Sequence, residues 1–228
     1  MLLELLHAAA HGGFPLQDGR TDVLPAVAGA PAAALSLTAH HLVAADVPAD
    51  EVLARVDPED LKGPLAPGFQ SWLAGRTGLV AGSLDVLLAW IPGGGAGEPA
   101  EPVHAIDPGD HPRVDRARRW RSDLTFYADD AGRGMVLIGR GLAGRLELSV
   151  EVERGERDHG LARRLVAGAL AVAAPEEPVF AQVAAANAPS LRALQPAGFA
   201  AVGAEVLFGP GRDFLRRSAA GVVAPGDY

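Results

Sequence analysis

Between Leu146 and Val152 the chain alternates between apolar and polar positions. Leu146, Leu148, Val150 and Val152 would share one face of a strand, and Glu147, Ser149 and Glu151 the other. A polar loop, Glu153 to His159, follows. Beyond Gly160 the apolar residues recur at helical spacing: Leu161, Leu165, Val166, Ala169 and Leu170. The pattern predicts a strand, a tight loop and a helix. Upstream, Arg121–Ala128 and Gly134–Arg140 read as strands separated by the turn Asp129–Gly132, giving an antiparallel meander that ends in Arg145–Val152. Downstream, Val179–Ala184 reads as a strand parallel to that one, reached through the helix. Ala188–Leu194 reads as a short helix stopped by Pro196, and Phe199–Val202 and Glu205–Phe208 as the last strands.

The first ninety or so residues carry weaker patterns. Leu2–Ala10 suits a helix ended by Gly12-Gly13. Ala33–Ala45 reads as a strand region with a bend near His40-His41. Pro48–Val56, Pro67–Ala74 and Leu84–Trp90 read as helices, the last with a strand as its alternative. Pro92–Pro102 has linker composition. Adjacent strand residues point to opposite faces, so His40 and His41 are not expected to share a metal ion. No metal site is expected elsewhere either.

Composition narrows the function classes. Hydrophobic residues make up 49% of 228, enough for a sizeable core. The net charge of −8 and pI of about 5.3 disfavour a nucleic-acid partner. With no cysteine, disulfides, thiolate zinc sites and a cysteine nucleophile are excluded. The apolar start Met1–Leu6 is broken by Glu4, lacks a basic flank, and no apolar run approaches the ~20 residues that span a bilayer. A cytoplasmic protein without a membrane partner is the expectation.

The loop 157–162 carries the candidate chemistry. A helix start leaves backbone N–H groups free and has positive dipole character. Gly160 presents no side chain to an approaching anion. Arg157, Arg163 and Arg164 oppose the dipole of a bare helix, yet suit a helix start that holds a polyanion. An ordinary solvated helix start is the other reading, and spacing alone does not separate them.

Arg157-Asp158-His159-Gly160-Leu161-Ala162 resembles the R/Q-x-x-G-x-G/A acyl-CoA loop of the GNAT acetyltransferase superfamily. Asn187-Ala188-Pro189-Ser190-Leu191-Arg192, Ala197-Gly198-Phe199 and Val202–Leu207 follow in the family's order. The resemblance runs from about Arg121 to Phe208. It implies a fold in which two parallel strands splay apart. Backbone groups of Val150, Glu151 and Val152 would hold the pantetheine arm and the acyl carbonyl. The loop from Arg157 through Asp158, His159, Gly160 and Leu161 to Ala162 would hold the pyrophosphate, and Asn187 and Ser190 would contact the pantetheine. The resemblance implies acetyl-CoA as co-substrate and a small-molecule or peptide amine as acceptor. Many family members place a tyrosine four positions before the Gly-Phe pair as general acid; Leu194 stands there in this chain, and the only tyrosines are Tyr127 and Tyr228. Glu151 and Glu147 are the candidate bases; solvated charges, or charges paired with Arg140 and Arg145, are the plainer reading. Glu205 is read as an edge-strand charge, with a place in the acceptor cleft as the alternative.

The expected fold class is α+β: a GNAT-type mixed sheet flanked by helices, with an extra N-terminal α/β subdomain. The expected division is an N-terminal subdomain 1–91, a linker 92–111, an acyl-CoA-binding domain 112–208 and a C-terminal tail 209–228. The expected function is CoA-dependent N-acetyl transfer to a primary amine, with a non-catalytic acyl-CoA-binding module as the alternative. The oligomeric state is left open, a dimer being one option.

Overall fold

The computed structural model describes residues 1–94, 100–109, 112–157 and 159–211. In chain order the elements are α1 (Leu2–Ala10), β1 (Thr21–Leu24), β2 (Ala32–Leu37), β3 (His40–Ala44), α2 (Ala49–Leu53), α3 (Pro67–Thr77) and β4 (Val80–Trp90). Then come β5 (His104–Ile106), α4 (Pro112–Arg118), β6 (Ser122–Ala128), β7 (Gly134–Arg140), β8 (Leu146–Val152), α5 (Leu161–Ala173), β9 (Val179–Ala184), α6 (Ala188–Leu194) and β10 (Ala200–Gly209). The linker and the tail expected from the sequence fall partly outside the described residues.

All ten strands join one mixed sheet in the order β1-β3-β2-β10-β4-β9-β8-β7-β6-β5. The class is α+β. Strands from both ends of the chain alternate at its centre: β10 pairs antiparallel with β2 on one side and with β4 on the other, and β4 pairs with β9. Segment 1–91 therefore adds its strands to the sheet edge that β9 would otherwise present.

The faces follow the alternation in β8. Leu148 packs with Leu161, Leu165, Val166, Ala169 and Leu170 of α5 on one face. On the opposite face α1 buries Leu2, Leu6 and Ala9 against Leu35, Leu87, Phe180 and Leu207. A third cluster lies under α3, where Phe69 and Leu73 meet Val43, Val206 and Phe208.

Three expectations are corrected. Leu84–Trp90 is a strand: Leu87 belongs to the α1-side core and Leu88 to the α5-side core. A central strand buried on both faces shows no alternation, so its leucine run reads as well as a helix. The region 33–45 is a hairpin, not one bent strand. Thr38 and Ala39 both take positive φ, 52° and 59°, which a two-residue hairpin turn requires, without the Asn-Gly pair that would have signalled it. The last two strands are one: β10 runs through Gly203 with shifts of register near Gly203 and Phe208. Gly203 is there for a close approach. A Cβ on it would drive into the Ser36 carbonyl oxygen and lie 2.7 Å from Leu37 Cδ2. Gly203→Ala is expected to destabilise the protein by about 1–3 kcal/mol, as overpacking at a tight contact does. Urea unfolding measures it; unchanged stability would mean that β2 and β10 separate freely.

Candidate functional site

The parallel pair β8 and β9 shares only two register positions, Leu146 with Val179 and Glu147 with Phe180. Beyond them Leu148–Val152 and Ala181–Ala184 run on without a shared pair. Each strand stays fixed on its far side: β8 pairs with β7 along its whole length, from Leu146 to Val152, and β9 pairs with β4 from Val179 to Ala184. The sheet thus holds a wedge between two rigid halves, open toward the C-terminal ends of both strands. Val150, Glu151 and Val152 lie along its β8 side, half-buried.

The loop after β8 leads from this wedge to α5. Arg157 turns back and donates from Nε to the Val152 carbonyl oxygen at 3.3 Å. Gly160 is the N-cap of α5, with φ 71° and no side-chain cap. An added Cβ would meet only the ends of two arginine side chains, Arg164 Nη1 at 3.5 Å and Arg163 Nη2 at 3.7 Å. The positive φ favours glycine, and it bares a helix start flanked by cationic side chains. Leu161 is buried in the α5-side core and anchors the turn; His159 is exposed and Ala162 half-buried. Asp158 lies outside the described residues.

At the tip of β9, Asn187 caps α6. Its Oδ1 accepts from the Ser190 backbone N–H at 3.2 Å, and its own N–H donates to the Ala184 carbonyl at 2.7 Å. The Asn187 side chain thus has a structural part in shaping the wedge rim, with the half-buried Ser190 beside it.

On the face opposite α5, the base of the wedge is closed by charge. Glu147 is fully buried. Its Oε1 accepts from Leu142 N at 3.1 Å, Arg145 Nε at 3.0 Å and Gln182 Nε2 at 3.0 Å; its Oε2 accepts from Arg121 Nε at 2.8 Å. Gly141 is required beside it, because a Cβ there would occupy the carboxylate's place. Arg145, also fully buried, forks onto Glu205 with Nη1–Oε2 at 2.9 Å and Nη2–Oε1 at 2.7 Å. Its guanidinium carbon lies 5.4 Å from the Phe180 ring centroid. Burial alone would lower the Arg145 pKa, but Glu205 and Glu147 more than offset that and raise it above the usual arginine value. The guanidinium stays charged.

These placements separate the two candidate glutamates. Glu147 is the fixed centre of a network. Glu151, in register with Met135, is half-buried further along the wedge. Glu205, read from the sequence as an edge charge, is fully buried on a central strand. Leu194 is 3% exposed within the α5-side core. Tyr127 is buried in that same core, and burial raises its hydroxyl pKa; Tyr228 lies outside the described residues. His40 and His41 point to opposite faces: His40 contacts Asp18 Oδ1 at 3.0 Å and Asp22 Oδ2 at 3.3 Å, and the buried His41 packs under Gly63. Sequence reasoning named Arg145 as a pairing partner for the strand glutamates but missed Arg121 and Gln182. The alternation of β8 marked the polar face, but nothing local marked these two. A cavity of about 350 Å³ lies elsewhere, on the β1 edge, lined by Gly19–Asp22, Leu53, Val56 and Pro58.

No family model matches the chain, and no curated protein matches it. Solved structures do. One is a GNAT-family acetyltransferase from Novosphingobium aromaticivorans, at 22% identity and TM-score 0.42, over 59% of this chain and 68% of that one. Another is a GCN5-related N-acetyltransferase from Kribbella flavida, at 15% identity and TM-score 0.41, over 64% of this chain and 65% of that one. A third is a tandem GNAT protein from the clavulanic acid biosynthesis pathway, at 14% identity and TM-score 0.38, over 62% of this chain and 59% of that one. This chain is similar in fold to GNAT acetyltransferases. It spans about two thirds of these neighbours or less, and the likeness concerns the fold alone. Among the described residues no helix is long and apolar enough to cross a membrane.

The network makes a prediction that the two glutamates should not share. Glu147→Gln places an amide N–H₂ among N–H donors and leaves Arg145 and Arg121 under-compensated. Removing one partner of a buried pair costs about 3–5 kcal/mol. Urea unfolding should show a loss of that order for Glu147→Gln and a smaller loss for Glu151→Gln. Equal effects of the two substitutions would contradict the network.

Proposed function

We propose that the protein is an acyl-CoA-dependent N-acyltransferase that transfers acetyl from acetyl-CoA to a primary amine. The observation that carries the reading is the join between the β8–β9 wedge and the glycine-capped, arginine-flanked start of α5. A slot between two parallel strands that share only two register positions suits the amide-rich pantetheine arm, and the helix start beside it suits a pyrophosphate. The residues present fit the ligand: Gly160 leaves the approach open to all but the ends of two arginine side chains.

In this reading the loop from Arg157 to Ala162 holds the pyrophosphate. Backbone groups of Val150, Glu151 and Val152 orient the arm and polarise the thioester carbonyl. Asn187 and Ser190 line the rim. Acetyl-CoA supplies an acyl group activated as a thioester. The attacking amine must be neutral, and Glu151 takes its proton directly or through water; Glu147, saturated with donors, fixes the wall behind. No tyrosine protonates the leaving thiolate, because Leu194 fills that place with a core side chain, so solvent does so. Residues 112–208 form the acyl-CoA half, and 1–91, through β4 and α1, the wall on the acceptor side. A cytoplasmic location accompanies this reading.

A second reading rests on the same Leu194: an acyl-CoA-binding module without turnover. Two measurements divide the readings. Titration calorimetry should show CoA binding that falls tenfold or more in Gly160→Glu, which puts a negative side chain where the pyrophosphate lies (about 1.4 kcal/mol per factor of ten). Free thiol should appear from acetyl-CoA only when a suitable amine from a panel is present. Binding without thiol release favours the module. Unchanged affinity in folded Gly160→Glu overturns both.

A further inference from the structure

Glu101 lies just before β5, far from the loop in sequence, yet it is built into the start of α5. Its segment is laid across the helix. The Glu101 backbone N–H donates to the Arg164 carbonyl at 3.0 Å. A Cβ on Gly168, one turn on, would run into the Glu101 carbonyl oxygen and lie 3.3 Å from Val103 Cγ2. The Glu101 carboxylate takes two guanidiniums. Arg164 Nε donates to Oε2 at 3.1 Å, and Arg133 Nη2 donates to Oε1. Arg133 is itself fixed by Asp129, with Nε–Oδ2 at 2.6 Å and a backbone N–H to Oδ1 at 2.9 Å. The Glu101 side chain is 18% exposed, and its hydrogen bond to Arg164 holds the carboxyl below its usual pKa.

With its Nε so held, Arg164 can point only one way. Its Nη1 donates to the His159 carbonyl at 2.9 Å and comes within 3.5 Å of the place a Cβ would take on Gly160. The positive charge thus stands at the mouth of the loop. The helix dipole would repel it from there if it were free to move, and a solvated arginine would have many rotamers to give up on binding. The cluster of Asp129, Arg133, Glu101 and Arg164 is neutral as a whole, so Glu101 orients a cation without setting a net negative charge against an anion.

We propose that Glu101 is a positioning residue of the acyl-CoA site. It acts through Arg164, holding that guanidinium where the pyrophosphate arrives, so that binding does not have to order it. This rests on the acyl-CoA reading above and adds Arg164, supported from outside the loop motif, to the groups that meet the phosphates.

The test is a double-mutant cycle in the full chain, with CoA affinity read by calorimetry and folding by thermal unfolding. Glu101→Ala and Arg164→Ala should each weaken CoA about tenfold. The double variant should bind no more weakly than Arg164→Ala alone, because Glu101 has nothing left to position. A merely structural role would weaken binding equally in both backgrounds. Glu101→Gln, which keeps an acceptor oxygen for Arg164, should retain most of the affinity and serves if the alanine variant does not fold. Additive losses, unchanged affinity in Glu101→Ala, or tighter binding from the removal of a negative charge would each overturn the inference while leaving the acyl-CoA reading in place. Absence of CoA binding by the unaltered protein would overturn both.

Discussion

Everything near the wedge depends on one buried cation. Arg145, just before β8, sits at zero exposure and is held by Glu147 on β8 and by Glu205 on β10, with β9 and β4 lying between. Isolated, a buried guanidinium would be very costly; with two carboxylates and good geometry the cost is offset, and loss of either partner would expose it again. Arg121 also pairs with Glu147, so two positive and two negative groups close the set. Because these partners sit on separate strands, the network favours one lateral arrangement of the sheet. It lies at the height where the β8–β9 ladder stops.

That placement explains how the sheet tolerates an opening in its middle. Splayed strands give up backbone hydrogen bonds, and the loss must be confined. Below the opening, Gln182 on β9 donates to Glu147 on β8 and bridges the two strands. Above it, β8 keeps its full ladder with β7, and β9 keeps its ladder with β4. The strand that secures β9 comes from the N-terminal part of the chain. The two ends of the sequence thus build one rigid frame around the slot, and the α5 start faces a gap whose width the frame sets.

What could be read from the sequence was local. The alternation of Leu146–Val152, the helical spacing from Leu161 and the glycine between them specify strand, loop and helix within a few residues. The short α6 was legible for the same reason. What could not be read was either long-range or two-sided. Arg145 and Glu205 are 60 residues apart, and neither signals burial alone. Glu101 reaches Arg164 across 63 residues. β4 is apolar on both faces because strands flank it on both edges and cores cover both sides. Thr38-Ala39 turns the chain without turn-type residues, held by the Thr38 hydroxyl on the Pro15 and Leu37 carbonyls, at 3.2 and 2.7 Å. In each case a tertiary contact overrides or completes a local preference.

Amide hydrogen exchange with and without CoA tests most directly whether the wedge and the α5 start form one ligand site. N–H groups at a helix start exchange readily until a partner covers them, and strand backbone beside an opening is shielded further by a ligand that fills it. The account predicts added protection in residues 150–152, 159–164 and 187–190, and little change around the cavity at 19–22 and 53–58. Protection concentrated at that cavity, or none in the wedge at saturating CoA, would contradict it.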